Sequence, residues 1–308
     1  MKAMGVTGPD FMPRLFDVDE PIAAPDGVVV DVIAASINDF DRAAVRGRYL
    51  AAPDQFVPIL LGRDFVGRVV AVGDDVDYID VGTEVAGVLA PRPAGQPGAF
   101  TCQVAVPARL LAPVPDGVDV ARAAAVGLAG VTAFDAVDAL GPLSLGQMVV
   151  HGPVCGVGGF ALQLAKARGA VVALITPPEQ IDLALELGAD VAIPDSTDFT
   201  QLIRKVRSLF GGGVDTAIHV AGHRSVVTGV VRPGGRFTSV VDGSTFDTDG
   251  GFAPTNVAPS GHKLMDLLFK VAAHRLESRV HRTVSFDQLG DAIIARSTRD
   301  GGRTIFVR

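Results

Sequence analysis

Cysteine is almost missing from this chain. Two occur in 308 residues, Cys102 and Cys155, far apart and unaccompanied. That excludes a disulfide scaffold and fits a reducing compartment, so a cytoplasmic location is expected. An excess of basic charge is also missing: 27 Lys and Arg stand against 34 Asp and Glu, a formal net charge of −7. Such a balance argues against a nucleic-acid or anionic-membrane partner. The six histidines, at 151, 219, 223, 262, 274 and 281, show no ligand spacing such as H-E-x-x-H, and no metal is expected. No stretch approaches the roughly 20 continuous apolar residues that would cross a bilayer. The opening Met1-Lys2-Ala3-Met4-Gly5-Val6 reads as a first strand and not as a signal peptide. Internal repeats and low-complexity tracts are absent, and no Ser-His-Asp or Cys-His arrangement suggests hydrolysis.

What is present is an apolar, glycine-rich globular chain. Hydrophobic residues make up 48% and charged residues 20%, and the length allows two domains of ordinary size. The apolar run Val149-Val150-His151 breaks into Gly152-Pro153-Val154-Cys155-Gly156-Val157-Gly158-Gly159 and re-emerges as a helical pattern from Phe160. Gly156, Gly158 and Ala161 fit the form G-x-G-x-x-G/A. Gly156 would allow the turn, Gly158 would let the backbone approach a pyrophosphate, and Ala161 would let helix and strand pack closely. N–H groups opening the helix would face the phosphates.

Alternating strands and helices follow. Phe160, Leu164 and Ala167 share a helical face, and residues 171–175 form a buried strand. Pro178 opens a second helix with Ile181, Ala184 and Leu185 inward, which Gly188 stops before a strand at 191–193. A third helix spans 199–209, a strand follows at 216–220, and Pro233-Gly234-Gly235 turns the chain into another at 236–241. This spacing predicts a parallel, doubly wound sheet. Before residue 115 the texture differs: short strands at 28–33, 66–72, 84–90 and 100–106, broken by turns such as Asp26-Gly27. The Pro113-Val114-Pro115-Asp116-Gly117 segment marks a boundary. A loop covers 242–260, a helix 262–274 carries Leu264, Leu267, Leu268 and Val271, and a last strand spans 304–307.

In this order the segments resemble the medium-chain dehydrogenase/reductase superfamily, in its zinc-independent quinone oxidoreductase branch. Leu61-Gly62-Arg63-Asp64 through Val72-Gly73 is similar to that family's L-G-x-[ED]-x-x-G-x-V-x-x-V-G signature. Asn38 to Asp41 with Arg46-Gly47-Arg48-Tyr49 is similar to its N-x-x-D…R-x-G-x-Y segment, and Leu128 to Phe134, His151 to Ala170, Leu187 to Asp190 and Arg232 to Arg236 match further segments. The resemblance implies an α/β fold: a Rossmann doubly wound parallel sheet combined with a GroES-like β-rich lobe. Residues 1–115 would form that lobe, 116–255 the dinucleotide-binding domain, and 256–308 a segment returning to the lobe. A homodimer and a small-molecule quinone or enone substrate are expected.

Zinc-dependent relatives place a cysteine where this chain has Asn38 and a histidine where it has Arg63, and their four-cysteine loop has no counterpart at 91–98. The cofactor implied is NADPH ahead of NADH. Thr176 stands at the end of the second strand, where NAD sites usually carry an acid, although Gln180 replaces a lysine common in NADP-binding relatives. Cofactor contacts fall on Thr132, Gly156, Val157, Gly158, Thr176, Gln180, Val220 and Val240, and the catalytic donors on Asn38 and Tyr49. Both donors also have packing or capping readings. Pro153, Val154 and His219 depart from the family pattern, the last from an acid. Alternatives are a non-catalytic NADPH-binding sensor or structural homologue, and a reductase of secondary metabolism.

Overall fold

The computed structural model describes residues 1–8, 10–48, 58–89, 98–241, 251–255, 257–295 and 301–308. Two compact units make up the chain: Met1–Leu128 with Pro259–Thr298 and Arg303–Arg308, and Ala129–Ala258 with Arg299–Gly302. The first unit begins with β1 (Lys2–Val6), β2 (Arg14–Asp17), β3 (Gly27–Ser36), α1 (Asp39–Ala44), β4 (Ile59–Leu60), β5 (Asp64–Val72), β6 (Glu84–Val88), β7 (Gln103–Pro107) and β8 (Leu111–Pro113). Helix α2 (Val120–Ala139) follows, kinked at Gly127.

The two compact units divide inside α2, at 128/129, beyond the proline-rich segment at 113–117. The reason is local. Ser278 Oγ donates to Arg122 O at 2.8 Å and the Leu128 N–H to Asp64 Oδ2 at 2.8 Å, which ties the first half of the helix to the first unit. By length and composition α2 would suffice to cross a membrane, although Arg122, Asp135 and Asp138 interrupt its apolar run. Yet 72% of its apolar window is buried in protein, as in a core helix.

In the second unit β9 (Gln147–His151), α3 (Gly159–Ala167), β10 (Val171–Thr176), α4 (Ile181–Glu186), β11 (Val191–Pro194), α5 (Phe199–Leu209), β12 (Val214–His219), α6 (Arg224–Val230) and β13 (Val231–Ser239) alternate. The five strands are parallel in the order β11-β10-β9-β12-β13. Strand order reverses on either side of β9, so the loop leaving β9 stands at the sheet's switch point, where open α/β sheets take their ligands. Val149, Ala173, Ile175, Leu202, Val206, Ala217, Val227 and Phe237 form its core.

Three details correct the sequence reading. Leu185 is 48% exposed and Leu183 half-buried, because α4 is too short to carry a full stripe. Pro233-Gly234-Gly235 lies within β13 as an irregularity, with Gly234 at φ +78°, and does not precede the strand. Helix α6, unforeseen, links β12 to β13.

The chain returns to the first unit through α7 (Gly261–Ala272), β14 (Val280–Val284), α8 (Phe286–Ile294) and β15 (Arg303–Val307). Leu264, Leu267, Leu268 and Val271 of α7 are buried as their spacing requires. Strand β15 pairs antiparallel with β3, Phe306 opposite Ala35, in a sheet ordered β14-β15-β3-β5-β6-β8, with β7 also on β3. A smaller sheet, β2-β1-β4, stands beside it in the topology. Phe306 meets Phe100 and Phe286 edge-on, at ring centroids of 6.0 and 5.2 Å, so the C-terminal strand is part of this core.

Candidate functional site

The glycine loop runs from the end of β9 through an irregular turn, 154–158, into α3. Gly156 adopts φ +69°, a conformation only glycine takes without strain, as the motif required. Gly158 is also required by the loop itself. A Cβ there would clash with Pro153 O, and one on Gly159 with Val154 O, so both glycines let the loop close on its own backbone. The first turn of α3 carries neither an acidic residue nor a side-chain cap, which leaves its N-terminal field unopposed. A backbone cradle of this kind fits a dinucleotide pyrophosphate.

The two residues expected beside a 2′-phosphate point elsewhere. Thr176 is fully buried and Gln180 is 3% exposed. Gln180 Oε1 accepts the Val154 N–H at 2.8 Å and lies 3.3 Å from Thr176 Oγ1. Val157 is half-buried in the loop, and Thr132 is 8% exposed on α2. Val220 and Val240 stand one residue beyond β12 and β13, half-buried, their N–H groups donating to His151 O and His219 O at 2.9 and 3.0 Å.

Histidines gather at the same strand ends. His151 is fully buried, and its Nε2 approaches Asp195 Oδ1 to 3.3 Å, yet neither ring nitrogen makes an aligned hydrogen bond. Burial holds its pKa below the usual histidine value, with Asp195 acting in the opposite direction. His219 Nδ1 pairs with Ser239 Oγ at 3.0 Å and its Nε2 with Gly222 O at 3.2 Å. His223 caps α6 and stacks on Phe199. Asp195, 44 residues from His151 in sequence, went unnoticed because nothing local announces it.

The first unit holds a buried polar cluster around Asp64. Its Oδ1 accepts Ser36 N–H at 2.9 Å and Ser36 Oγ at 2.8 Å, and its Oδ2 accepts Asn38 Nδ2 at 3.1 Å and Leu128 N–H at 2.8 Å. Asn38 also faces Ser36 O and Oγ through Nδ2, both at 3.1 Å, and its Oδ1 accepts from Arg303 Nη2. Arginine can only donate, so Arg303 fixes which way the amide points. Asn38 therefore has its two N–H groups committed within the protein, and it stands as a brace and as the N-cap of α1 rather than as an open donor.

Asp41 accepts N–H from Asn38 at 2.8 Å and from Gly62 at 2.7 Å. Burial raises its pKa to about 6 in spite of those bonds. Tyr49 lies outside the described residues.

Comparison with known proteins places these two units. Residues 24–116 match the alcohol dehydrogenase GroES-like domain and residues 156–259 the zinc-binding dehydrogenase family, together more than half of the chain. A solved alcohol dehydrogenase superfamily protein from Novosphingobium aromaticivorans superimposes with a TM-score of 0.86 at 26% identity, covering 100% of this chain and 99% of that one. The chain belongs to the medium-chain dehydrogenase/reductase superfamily, in a quinone oxidoreductase-like branch.

Among medium-chain dehydrogenase/reductase relatives it is 31% identical to the tomato (Solanum lycopersicum) 2-methylene-furan-3-one reductase, over 74% of this chain and 61% of that protein. It is 29% identical to a probable quinone oxidoreductase of Schizosaccharomyces pombe, over 76% and 68%. It is 37% identical to erythronolide synthase EryA2 of Saccharopolyspora erythraea over 66% of this chain, but spans only 5% of that protein. Members of the superfamily bind nicotinamide cofactors.

The zinc implied by the family description does not suit the residues present. The Arg63 guanidinium donates to Leu89 O at 3.0 Å and lies over the Phe40 ring, 5.0 Å from its centroid. A fixed cation and a neutral amide held by Arg303 are not zinc ligands. Among the described residues no group of three His, Cys, Asp or Glu is placed to hold a metal ion.

Proposed function

We propose that this protein is an NADPH-dependent oxidoreductase that works without zinc and reduces a quinone or the activated double bond of an enone. The observation that carries the reading is that one chain holds both a nucleotide loop, Gly156 to Gly159, and polar residues, Asn38 and Arg63, where zinc-dependent relatives carry metal-binding side chains. Removing hydride from a simple alcohol calls for an electrophile on its oxygen. Reducing a quinone or enone asks for less: a positioned nicotinamide and hydrogen-bond donors where negative charge develops on oxygen. When bound, the nicotinamide supplies the hydride.

The loop backbone holds the pyrophosphate. Asn38, its amide hydrogens already engaged, acts by holding the Arg303 guanidinium in place. Tyr49 is the donor assigned to the acceptor's oxygen. The lack of an acid at the end of β10, where Thr176 stands, supports NADPH ahead of NADH. Identity to the furanone reductase supports an enone, and identity to the quinone oxidoreductase supports a quinone. Identity to an erythronolide synthase supports a second reading, a reductase of secondary metabolism whose acceptor is a double bond conjugated to a carbonyl.

A panel of quinones and enones, assayed for NADPH and NADH oxidation with and without chelator, tests the proposal. Turnover that survives chelation is expected. A protein that binds NADPH but oxidises it with none of the acceptors in the panel is a binding protein, and one zinc per chain after dialysis overturns zinc independence.

A further inference from the structure

Gln180 stands in the turn after β10, and its side chain is directed into the protein. Its Oε1 takes the N–H of Val154 at 2.8 Å. Thr176 Oγ1, fully buried at the last position of β10, lies 3.3 Å from the same oxygen and can donate to it. Pro153 has no N–H, so Val154 carries the first backbone donor of the segment between Pro153 and α3. The bond thus fastens the entry of the loop to the end of the neighbouring strand. The entry in turn sets the rest: Pro153 O and Val154 O are the atoms against which Gly158 and Gly159 close, at the start of α3. A shift of Val154 would therefore move the first turn of the helix and the N–H groups it presents.

We propose that Gln180 is a positioning residue for dinucleotide binding, holding the glycine loop in shape through the Val154 N–H, and not a reader of the 2′-phosphate. The inference rests on the nucleotide-binding reading above. The pyrophosphate is common to both dinucleotides, so Gln180 acts on NADH and NADPH alike. A residue that touched the 2′-phosphate would act on NADPH only.

The test uses the full chain, with affinities for NADPH and NADH measured by calorimetry and the exchange rate of the Val154 amide by NMR. Gln180→Met keeps the length of the side chain and removes the acceptor. Both dissociation constants should rise by the same factor, on the order of tenfold for one stranded buried donor, and the Val154 amide should exchange faster. Gln180→Lys, which also lacks an acceptor, sets the two readings in opposition and serves as well should the Met variant not fold. Parallel weakening of both cofactors supports positioning, whereas tighter NADPH binding with unchanged NADH binding overturns it. Unchanged affinities in either folded variant, or a loss confined to NADPH, overturn it too. A wild type that binds neither dinucleotide removes the nucleotide-binding reading itself, and this inference with it.

Discussion

Replacing Asp64 with asparagine changes one atom in a place where no water can compensate. The carboxylate is fully buried and answers four donors: Ser36 N–H, Ser36 Oγ, Asn38 Nδ2 and Leu128 N–H. In Asp64→Asn an NH2 group takes the place of one oxygen. Turned toward Asn38 and Leu128, it confronts two donors and strands the Leu128 N–H, while Asn38 keeps Ser36 as its acceptor. Turned toward Ser36, it finds a hydroxyl able to accept but strands the Ser36 N–H. Either way one buried backbone amide is stranded, at a cost of about 1–3 kcal/mol. The bonds that survive also lose the strengthening a carboxylate gives, so the expected total is about 2–5 kcal/mol.

Urea unfolding followed by tyrosine emission is the suitable assay. The chain has no tryptophan, and Tyr78, the tyrosine among the described residues, belongs to the first unit, so its emission reports that unit. The midpoint should fall with the slope unchanged. Asp74→Asn, at an exposed turn position, is the control. Equal losses in the two variants would refute the account of Asp64 as a buried acceptor hub.

Gly156→Ala, forced into φ +69°, should strain the loop by roughly 1–2 kcal/mol and weaken both dinucleotides in calorimetry; full affinity would detach the loop from binding. It is a cleaner probe than Gly158→Val, whose side chain would strike Pro153 O before meeting any ligand. Two buried groups predict opposite responses to acid. Asp41, raised to about 6 from 3.8, binds a proton more readily folded than unfolded, so its contribution is present at low pH and is lost, by about 3 kcal/mol, as pH rises through that window. His151, shifted below 6.5, is destabilising as pH falls beneath that value, because the unfolded chain takes the proton first. Amide exchange across pH 4–7 should thus show protection near Asp41 falling, and near His151 rising, with increasing pH. A flat profile at either residue refutes its assignment. Asn38→Ala, by releasing Arg303, should cut turnover on the order of a hundredfold while leaving cofactor affinity nearly intact; unaltered turnover removes Asn38 from the mechanism.

The second unit is easier to read from sequence because parallel strands buried on both faces leave apolar runs, and glycines and prolines punctuate them. Helix α5 starts at Phe199 and ends at Leu209, where its spacing puts it, with Asp198 capping the Gln201 N–H at 2.9 Å. Two short helices of the first unit escaped notice although the signal was present. Asn38-x-x-Asp41 and Ser285-x-x-Gln288 are the capping patterns that open α1 and α8. The first also forms part of the N-x-x-D segment of the family motif. Helix α2 escaped for the opposite reason: alanine-rich and largely buried, it shows no clear polar stripe for a period to reveal.

Side-chain direction is the part sequence could not supply. Thr176 and Gln180 occupy the positions from which a 2′-phosphate could be touched, and only the fold shows that their oxygens turn toward each other and toward Val154. Chemistry explains why an amide suits that place. A lysine has no acceptor for the Val154 N–H, and a glutamate would bring negative charge against the start of α3, where the proposed pyrophosphate would sit. Glutamine offers an acceptor without a charge. The neutral residue at 180, which as a surface contact would mean weak attraction for NADPH, is as a buried brace the choice that leaves the loop's field to the ligand.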